Sequence, residues 1–255
     1  MRVLIRLKAL RSCAYDLRYH HKLQGFIYGA LKGTDYSELH NKKGYKFFSY
    51  SNIFPARDIK EDEERNLLVA SPDERFIRNF LNGLWTTGDG SMNVGEMSFK
   101  ITDAKILNPR IDRNTVLETA TPVIIRIPKE NYEKYGITPP KDYPYFYWRK
   151  EYPFNAFLKQ VEENLIKKYN EYQGTTSSEE QFFEQFIFKK QVCNHITMKN
   201  KEIKLIGSIW QFPFNHVDGE KSGLVQFALD TGLGELNSLG FGFINLTMKK
   251  DYRRH

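Results

Sequence analysis

The sequence predicts an α+β fold made of two tandem ferredoxin-like (RRM-like) domains, each with the element order β-α-β-β-α-β. Three observations lead to this prediction. The chain opens with a strand-like alternation of charged and apolar residues, a helical spacing of apolar residues follows, and the second half repeats the same order of elements. The length of 255 residues suits two domains of roughly 110–130 residues. We place these domains at residues 1–112 and 113–255.

In the first half, each element has a local signal. Residues 1–8 alternate charged and apolar side chains, which favours a strand. Residues 19–32 place apolar side chains on one face at helical spacing, and Gly33 can end that helix. A second helix begins at Ser71-Pro72, with proline at the first helical position. The remaining predictions are a short helical segment at 35–40, strands at 45–53, 66–70 and 96–107, and a solvated charged loop at 58–65.

The second half shows the same order of elements. Residues 115–127 are rich in β-branched side chains, which favour strands, and residues 154–173 form the longest predicted helix. The remaining predictions are a loop at 173–178, basic strands bracketed by 182–188 and 203–213, a short helix at 224–230 and a last strand at 242–248.

Composition indicates an anionic partner. Lys and Arg total 38 against 31 Asp and Glu, so the net charge is +7 and the pI about 9.1. Residues 132–154 interleave aromatic side chains with Lys and Arg, which is typical of single-stranded nucleic acid binding and equally of ordinary β-structure.

The sequence also disfavours several protein classes. It contains no apolar run long enough to span a membrane, and its charged start is unlike a signal peptide. The two cysteines, Cys13 and Cys193, are too few for a disulfide framework or a cysteine metal site. We therefore expect a cytoplasmic protein without a metal or another cofactor.

A glycine-rich string at residues 232–246 is the most specific motif. Four glycines fall within eleven residues, and apolar residues suited to a strand follow them. The P-loop and the Rossmann fingerprint both open a helix, so neither motif fits. Two interpretations remain open: a loop that lies against a polyphosphate backbone, or a tight turn that leads into a bulged terminal strand.

Acid–base residues occur near the N-terminus. Histidine titrates near neutral pH, and lysine can stabilise negative charge on a phosphorane, so Tyr28, His40 and Lys46 form a candidate catalytic set. His20 and His21 are held in reserve. Without further support, a loop histidine is more often simply exposed, and a tyrosine on a helix edge more often packs.

The chain resembles the CRISPR-associated endoribonucleases that cut CRISPR repeat RNA into guide RNAs, the Cas6 family. The similarity spans nearly the whole length and is strongest at both ends. Its motifs are Gly-Phe-Ile-Tyr ending at Tyr28, Leu-His ending at His40, Gly-Tyr-Lys ending at Lys46, and the glycine-rich string at 232–242. Members of this family contain two ferredoxin-like domains, as the element order also predicts.

The resemblance implies metal-independent cleavage by Tyr28, His40 and Lys46, with attack of the RNA 2′-OH on the adjacent phosphate and a 2′,3′-cyclic phosphate and a 5′-OH as products. Catalytic sets vary across the family, so His20 and His21 remain alternatives. The expected partners are CRISPR repeat RNA, an effector complex and a second copy of the chain. A non-catalytic RNA-binding protein of the same fold is the alternative function. The residues expected to hold RNA are Gly232, Gly234, Asn237, Ser238, Gly240, Gly242, Lys189 and Lys190, together with a basic strand at 199–204.

Overall fold

The computed structural model describes residues 1–86, 90–111, 115–138, 143–176, 182–198, 201–215, 217 and 219–248. The predicted domain boundary between residues 112 and 113, the end of the loop predicted at 173–178 and the predicted RNA contact Lys199 lie outside the described residues. Among the described residues, no helix combines the length and the apolar character needed to cross a bilayer.

The chain falls into two compact units. The first comprises Met1–Pro109 together with His195–Lys204 and Asn237–Gly240, and the second takes in Arg110–Asn194, Leu205–Leu236 and Phe241–His255. The first unit therefore draws on three separate segments of the chain. The assignment of domains to residues 1–112 and 113–255 stays a prediction.

The first unit has a five-stranded antiparallel sheet with β1 at its centre. The strand order is β2-β3-β1-β5-β4, in which the first four strands have the ferredoxin-like order and β4 adds a hairpin at the edge. The helices and strands of this part of the chain are β1 (Arg2–Ala9), α1 (His20–Ala30), a 3-10 helix (Ser37–His40), β2 (Ser49–Tyr50), β3 (Glu64–Ala70), α2 (Glu74–Thr86), β4 (Ser91–Val94) and β5 (Met97–Leu107).

The alternation in β1 explains the core of this unit. Val3, Ile5 and Leu7 are fully buried, and they belong to one cluster with Leu23 of α1 and Phe80 of α2. Since side chains of a strand alternate between faces, the apolar set packs under the helices, whereas Arg6 and Lys8 on the other face are exposed. This packing fixes α1 on the sheet.

The second unit has the ferredoxin-like order in its sheet as well, β10-β11-β6-β12, with β7 pairing to β11. The predicted fold of two ferredoxin-like domains is confirmed. The elements of the remaining chain are β6 (Thr115–Thr119), β7 (Val123–Ile124), β8 (Arg126–Pro128), 3-10 helices (Lys129–Asn131 and Glu133–Tyr135), β9 (Tyr145–Tyr147), α3 (Phe154–Gln173), β10 (Ile187–Met198), β11 (Lys201–Pro213), α4 (Gly219–Thr231), a 3-10 helix (Asn237–Leu239) and β12 (Ile244–Met248).

Three local predictions were wrong. The strand predicted at 45–53 is reduced to Ser49–Tyr50, and the strand predicted near 182–188 begins only at Ile187. The charged segment at 58–65 is not wholly solvated, because the side chain of Arg65 is completely buried. Its guanidinium donates to Glu63 Oε2 over 2.8 Å and to the carbonyl oxygens of Asp58 and Glu64, so its charge is compensated inside the fold.

Candidate active site

Tyr28, His40 and Lys46 lie together in the first unit, although the chain separates Tyr28 from Lys46 by 18 residues. Tyr28 is near the end of α1, His40 ends the 3-10 helix, and Lys46 lies in the segment before β2. Lys46 Nζ donates a hydrogen bond to Tyr28 Oη over 3.0 Å. The rings of Tyr28 and His40 meet edge to face, with centroids 5.5 Å apart. The structure thus gathers all three residues of the candidate catalytic set.

Tyr28 is a half-buried phenol. It packs against the buried Phe48 with ring centroids 6.0 Å apart, and burial raises the pKa of Tyr28 to about 12. At neutral pH its hydroxyl is therefore protonated. Because the oxygen already accepts a hydrogen bond from Lys46, its own O–H can donate to an oxygen of a substrate.

Lys46 supplies a positive charge beside this phenol. Its ammonium has three donors, of which one is used by Tyr28 Oη and one by the carbonyl oxygen of His40, over 3.0 Å each. Within the described part of the chain it makes no third hydrogen bond, so one N–H can serve a phosphate oxygen. Burial lowers the pKa of Lys46 from its usual value, which indicates that its surroundings strengthen electrostatic interactions.

His40 is exposed, and its ring is oriented by two neighbours. His40 Nδ1 lies 3.1 Å from Asn41 Oδ1, and Asn41 Nδ2 donates to Glu38 Oε2 over 2.8 Å. Since the amide nitrogen points to the carboxylate, the amide oxygen faces the imidazole and can only accept, which makes Nδ1 the donor. The other ring nitrogen, Nε2, is then the atom that can take up or release a proton.

His20 and His21 lie apart from this set. They stand two helical turns before Tyr28 on α1, about 12 Å along the helix axis. His20 is buried and stacks on Tyr19 with ring centroids 4.3 Å apart, and its burial lowers its pKa to about 4. His21 is half-buried, and its Nε2 atom is buried without a hydrogen bond to any described residue.

The same flank of α1 holds the 3-10 turn of the glycine-rich string. His20 Nδ1 lies 2.7 Å from the carbonyl oxygen of Leu239, and Gln24 Nε2 donates to that of Ser238 over 2.6 Å. Gln24 is four residues before Tyr28, so it shares Tyr28's side of the helix one turn away. The half-exposed Asn237 and Ser238 therefore belong to the same unit as the candidate catalytic set.

The four glycines of the string are buried and have positive φ angles. A Cβ at Gly240 would lie within 3.0 Å of ring atoms of the buried Tyr50, and one at Gly234 would lie 2.6 Å from the carbonyl oxygen of Ile124. Backbone bonds within the fold also occupy several N–H groups of the string, including that of Gly242, which donates to the carbonyl of Pro122 over 2.8 Å. Packing thus explains why Gly234 and Gly240 are glycines.

A buried lysine supports the start of the string in the second unit. Lys168 of α3 donates to the carbonyl oxygen of Gly232 over 2.7 Å, and its Nζ lies 3.5 Å from that of Gly234. Burial lowers the pKa of Lys168 to about 7. The two remaining residues predicted to bind RNA, Lys189 and Lys190, are exposed on β10.

Two contributions to the site were missed by sequence reasoning. Asn41 and Glu38 orient His40, and Gln24 holds the glycine-rich turn. Asn41 directly follows the short helical segment and lies three residues after Glu38, and this spacing was the available signal for the first pair. Nothing local predicts the partner of Gln24. No three described His, Cys, Asp or Glu side chains are close enough together to hold a metal ion.

Comparisons with known families match both halves of the chain. The model described as "CRISPR-associated protein Cas6, N-terminal" matches residues 14–105, and the one described as "CRISPR associated protein Cas6, C-terminal" matches residues 105–246.

Individual proteins agree with these matches. The CRISPR-associated endoribonuclease Cas6 of Haloferax mediterranei is 34% identical over 258 residues, covering 98% of this chain and 94% of its own. The CRISPR-associated endoribonuclease Cas6 2 of Methanocaldococcus jannaschii is 30% identical, covering 96% and 99%. A solved structure described as a CRISPR associated protein Cas6 has the same fold, with a TM-score of 0.71 at 23% identity, over 97% of this chain and 99% of that one.

Proposed function

The chain belongs to the Cas6 family, and from this premise we propose that it is an endoribonuclease that cleaves CRISPR precursor RNA within the repeats to release guide RNAs. The observation that carries the proposal is the meeting of Tyr28, His40 and Lys46 in one unit. A protein that only binds RNA would have no need for an oriented imidazole beside a phenol and an ammonium group.

We propose internal transesterification as the reaction. The 2′ oxygen of the nucleotide before the cut forms a bond to phosphorus, and the bond from phosphorus to the 5′ oxygen breaks. The products are a 2′,3′-cyclic phosphate and a 5′-OH. One proton leaves the 2′-OH and another reaches the departing 5′ oxygen, so the reaction needs positioned proton-transfer groups and compensation of the charge that grows on the phosphorane.

The geometry suggests a role for each residue. His40 is the general acid toward the 5′ oxygen or the base toward the 2′-OH, acting through Nε2, because Nδ1 is held by Asn41. Lys46 stabilises the phosphorane with its remaining N–H. Tyr28 positions the 2′-OH rather than deprotonating it, because a phenol with a pKa of about 12 supplies little phenolate at neutral pH.

RNA binding is proposed for the residues named from the sequence. Asn237 and Ser238 are the half-exposed members of the glycine-rich turn, and they can contact the RNA backbone directly. Gly232, Gly234, Gly240 and Gly242 are proposed to shape the string that carries them. Lys189 and Lys190 provide exposed charge for phosphates. An effector complex and a second copy of this chain are retained as proposed partners.

The test is cleavage of a labelled repeat RNA by the purified protein in EDTA. We expect the RNA to be cut with a cyclic phosphate end, because the proposed nucleophile is internal and the proton transfers use side chains. A matched substrate with a single 2′-deoxynucleotide at the cut site should bind and remain intact. Loss of cleavage in EDTA, or cutting of the deoxy substrate, would contradict the mechanism, whereas tight binding without any cutting would favour the non-catalytic alternative.

A further inference from the structure

An exposed surface of the second unit combines aromatic rings with cations at the edge of its sheet. Strand β10 is the outermost strand in the order β10-β11-β6-β12. Phe186 directly precedes the strand and is 38% exposed, and Phe188 is 37% exposed. We define the β10 edge surface by these two aromatic residues and four exposed cations, Lys189, Lys190, Arg149 and Lys150.

The strand geometry aligns part of this surface. Side chains of a strand alternate between faces, so Phe188 and Lys190 share a face about 7 Å apart, and Lys189 lies on the opposite face. Phe188 contacts Trp210 with ring centroids 5.1 Å apart, and Phe186 lies on the same side, with its ring 4.2 Å from that of Phe154. Along this face, the aromatic rings of Phe186 and Phe188 are therefore followed by the cation of Lys190.

A neighbouring turn adds two further cations to the edge. The backbone N–H of Lys150 donates to Gln191 Oε1 of β10 over 3.0 Å, which ties the turn at Arg149 and Lys150 to the strand. An exposed carboxylate, Glu151, directly follows these two cations in the sequence. The surface thus combines two rings with Lys190 on the same face, and Lys189, Arg149 and Lys150 add charge on the strand and its adjoining turn. The ring of Phe188 packs against the buried Trp210, and that of Phe186 packs against the half-buried Phe154.

We propose that the β10 edge surface binds unpaired RNA nucleotides, with bases stacked on Phe186 and Phe188 and phosphates held by the surrounding cations. This inference rests on the proposed function, since it takes RNA as the ligand, and it adds a stacking site outside the candidate catalytic set. Aromatic faces combined with flanking cations are the elements by which proteins bind single strands without reading their sequence. An edge strand also presents backbone N–H groups to such a ligand.

Charge argues against a second copy of the chain as the occupant. A symmetric contact would bring the four cations of one copy against the same four of the other, and such like-charge contacts are unfavourable. RNA phosphates, in contrast, attract these cations, and the release of counterions strengthens the binding.

The experiment measures binding of a labelled, unpaired oligoadenylate of about ten nucleotides by fluorescence anisotropy, beside an abasic oligomer of the same length. Phe186→Leu keeps an apolar contact with Phe154 but removes the ring face, so we expect its Kd for oligoadenylate to rise about five-fold or more, with the abasic Kd unchanged. The matched control Trp85→Leu, at a 49% exposed aromatic residue of the first unit, should bind both ligands as the parent does.

A second variant tests the charged part of the surface independently of aromatic packing. Lys190→Gln should reduce the slope of log K against log salt by about 0.7, the share of one phosphate contact on a single strand, while Phe186→Leu leaves that slope unchanged. Unaltered oligoadenylate binding in both variants would overturn the proposal. The proposal would also be overturned if sedimentation showed a dimer that Phe186→Leu converts to a monomer while the RNA affinity stays unchanged. Cleavage of repeat RNA in EDTA is recorded separately, so a failure of the proposed function is seen apart from a failure of this surface.

Discussion

Replacement of Gly240 by alanine tests what the glycine-rich turn contributes. Gly240 has a φ of +82° and packs against the buried ring of Tyr50, where a Cβ would lie 2.9 Å from Cζ and 3.0 Å from Cδ2. The positive φ costs an alanine about 1–2 kcal/mol, and overpacking costs about 1–3 kcal/mol more. We therefore expect Gly240→Ala to lower the free energy of unfolding by about 2–5 kcal/mol.

Gly33 offers a matched control, because it has a φ of +80° and no heavy atom within 4 Å of a Cβ built on it. Gly33→Ala should show the backbone cost alone, about 1–2 kcal/mol. Urea unfolding followed by circular dichroism compares the two variants with the parent. If Gly240→Ala loses no more stability than Gly33→Ala while its RNA affinity falls, the turn serves phosphate contact and the packing interpretation is refuted. If affinity falls only in proportion to the folded fraction, the packing interpretation stands.

Three further outcomes are expected. His40→Ala should lower the single-turnover cleavage rate about 10²–10⁴-fold with repeat binding nearly unchanged, whereas a normal rate would move the proton transfer to another residue. Asn41→Leu should lower the same rate about 10-fold or more, because the imidazole loses the acceptor that orients it, and rescue by Asn41→Asp would support an orienting role. Burial lowers the pKa of His20 to about 4, whereas in the unfolded chain this histidine takes up a proton near pH 6.5. As the pH falls from 7 to 4, the parent should therefore lose about 3 kcal/mol of stability relative to His20→Gln, as measured by urea titrations. Parallel pH profiles of the two proteins would contradict this.

The element order could be predicted from the sequence because each signal is local. Alternation identified β1, and apolar spacing with a glycine stop identified α1. The predicted bounds of the longest helix, 154–173, coincide with those of α3. Sequence reasoning failed at Arg65, where a charged residue is buried because three oxygens from its own neighbourhood compensate it, an arrangement that composition does not reveal.

The candidate site was predictable only in part. The residue types of Tyr28, His40 and Lys46 are visible in the sequence, but their meeting depends on how the irregular segment after α1 returns to that helix. The hydrogen bond from Gln24 to Ser238 spans 214 residues and has no local signal at all. The burial of the glycines depends on the same long-range packing. The glycine pattern alone therefore could not decide between a loop that binds a polyphosphate backbone and a packed turn.

The bond between His20 and Leu239 has a consequence for biosynthesis. A ribosome completes α1 early, yet the turn that α1 holds lies 219 residues further along the chain. At 5–20 residues per second, about 10–45 s separate the appearance of the two partners. During that interval the nascent first unit lacks the residues that cover His20 and pack on Tyr50. The candidate catalytic residues are thus translated well before the turn, and a chain released prematurely would carry Tyr28, His40 and Lys46 without the turn that shares their unit.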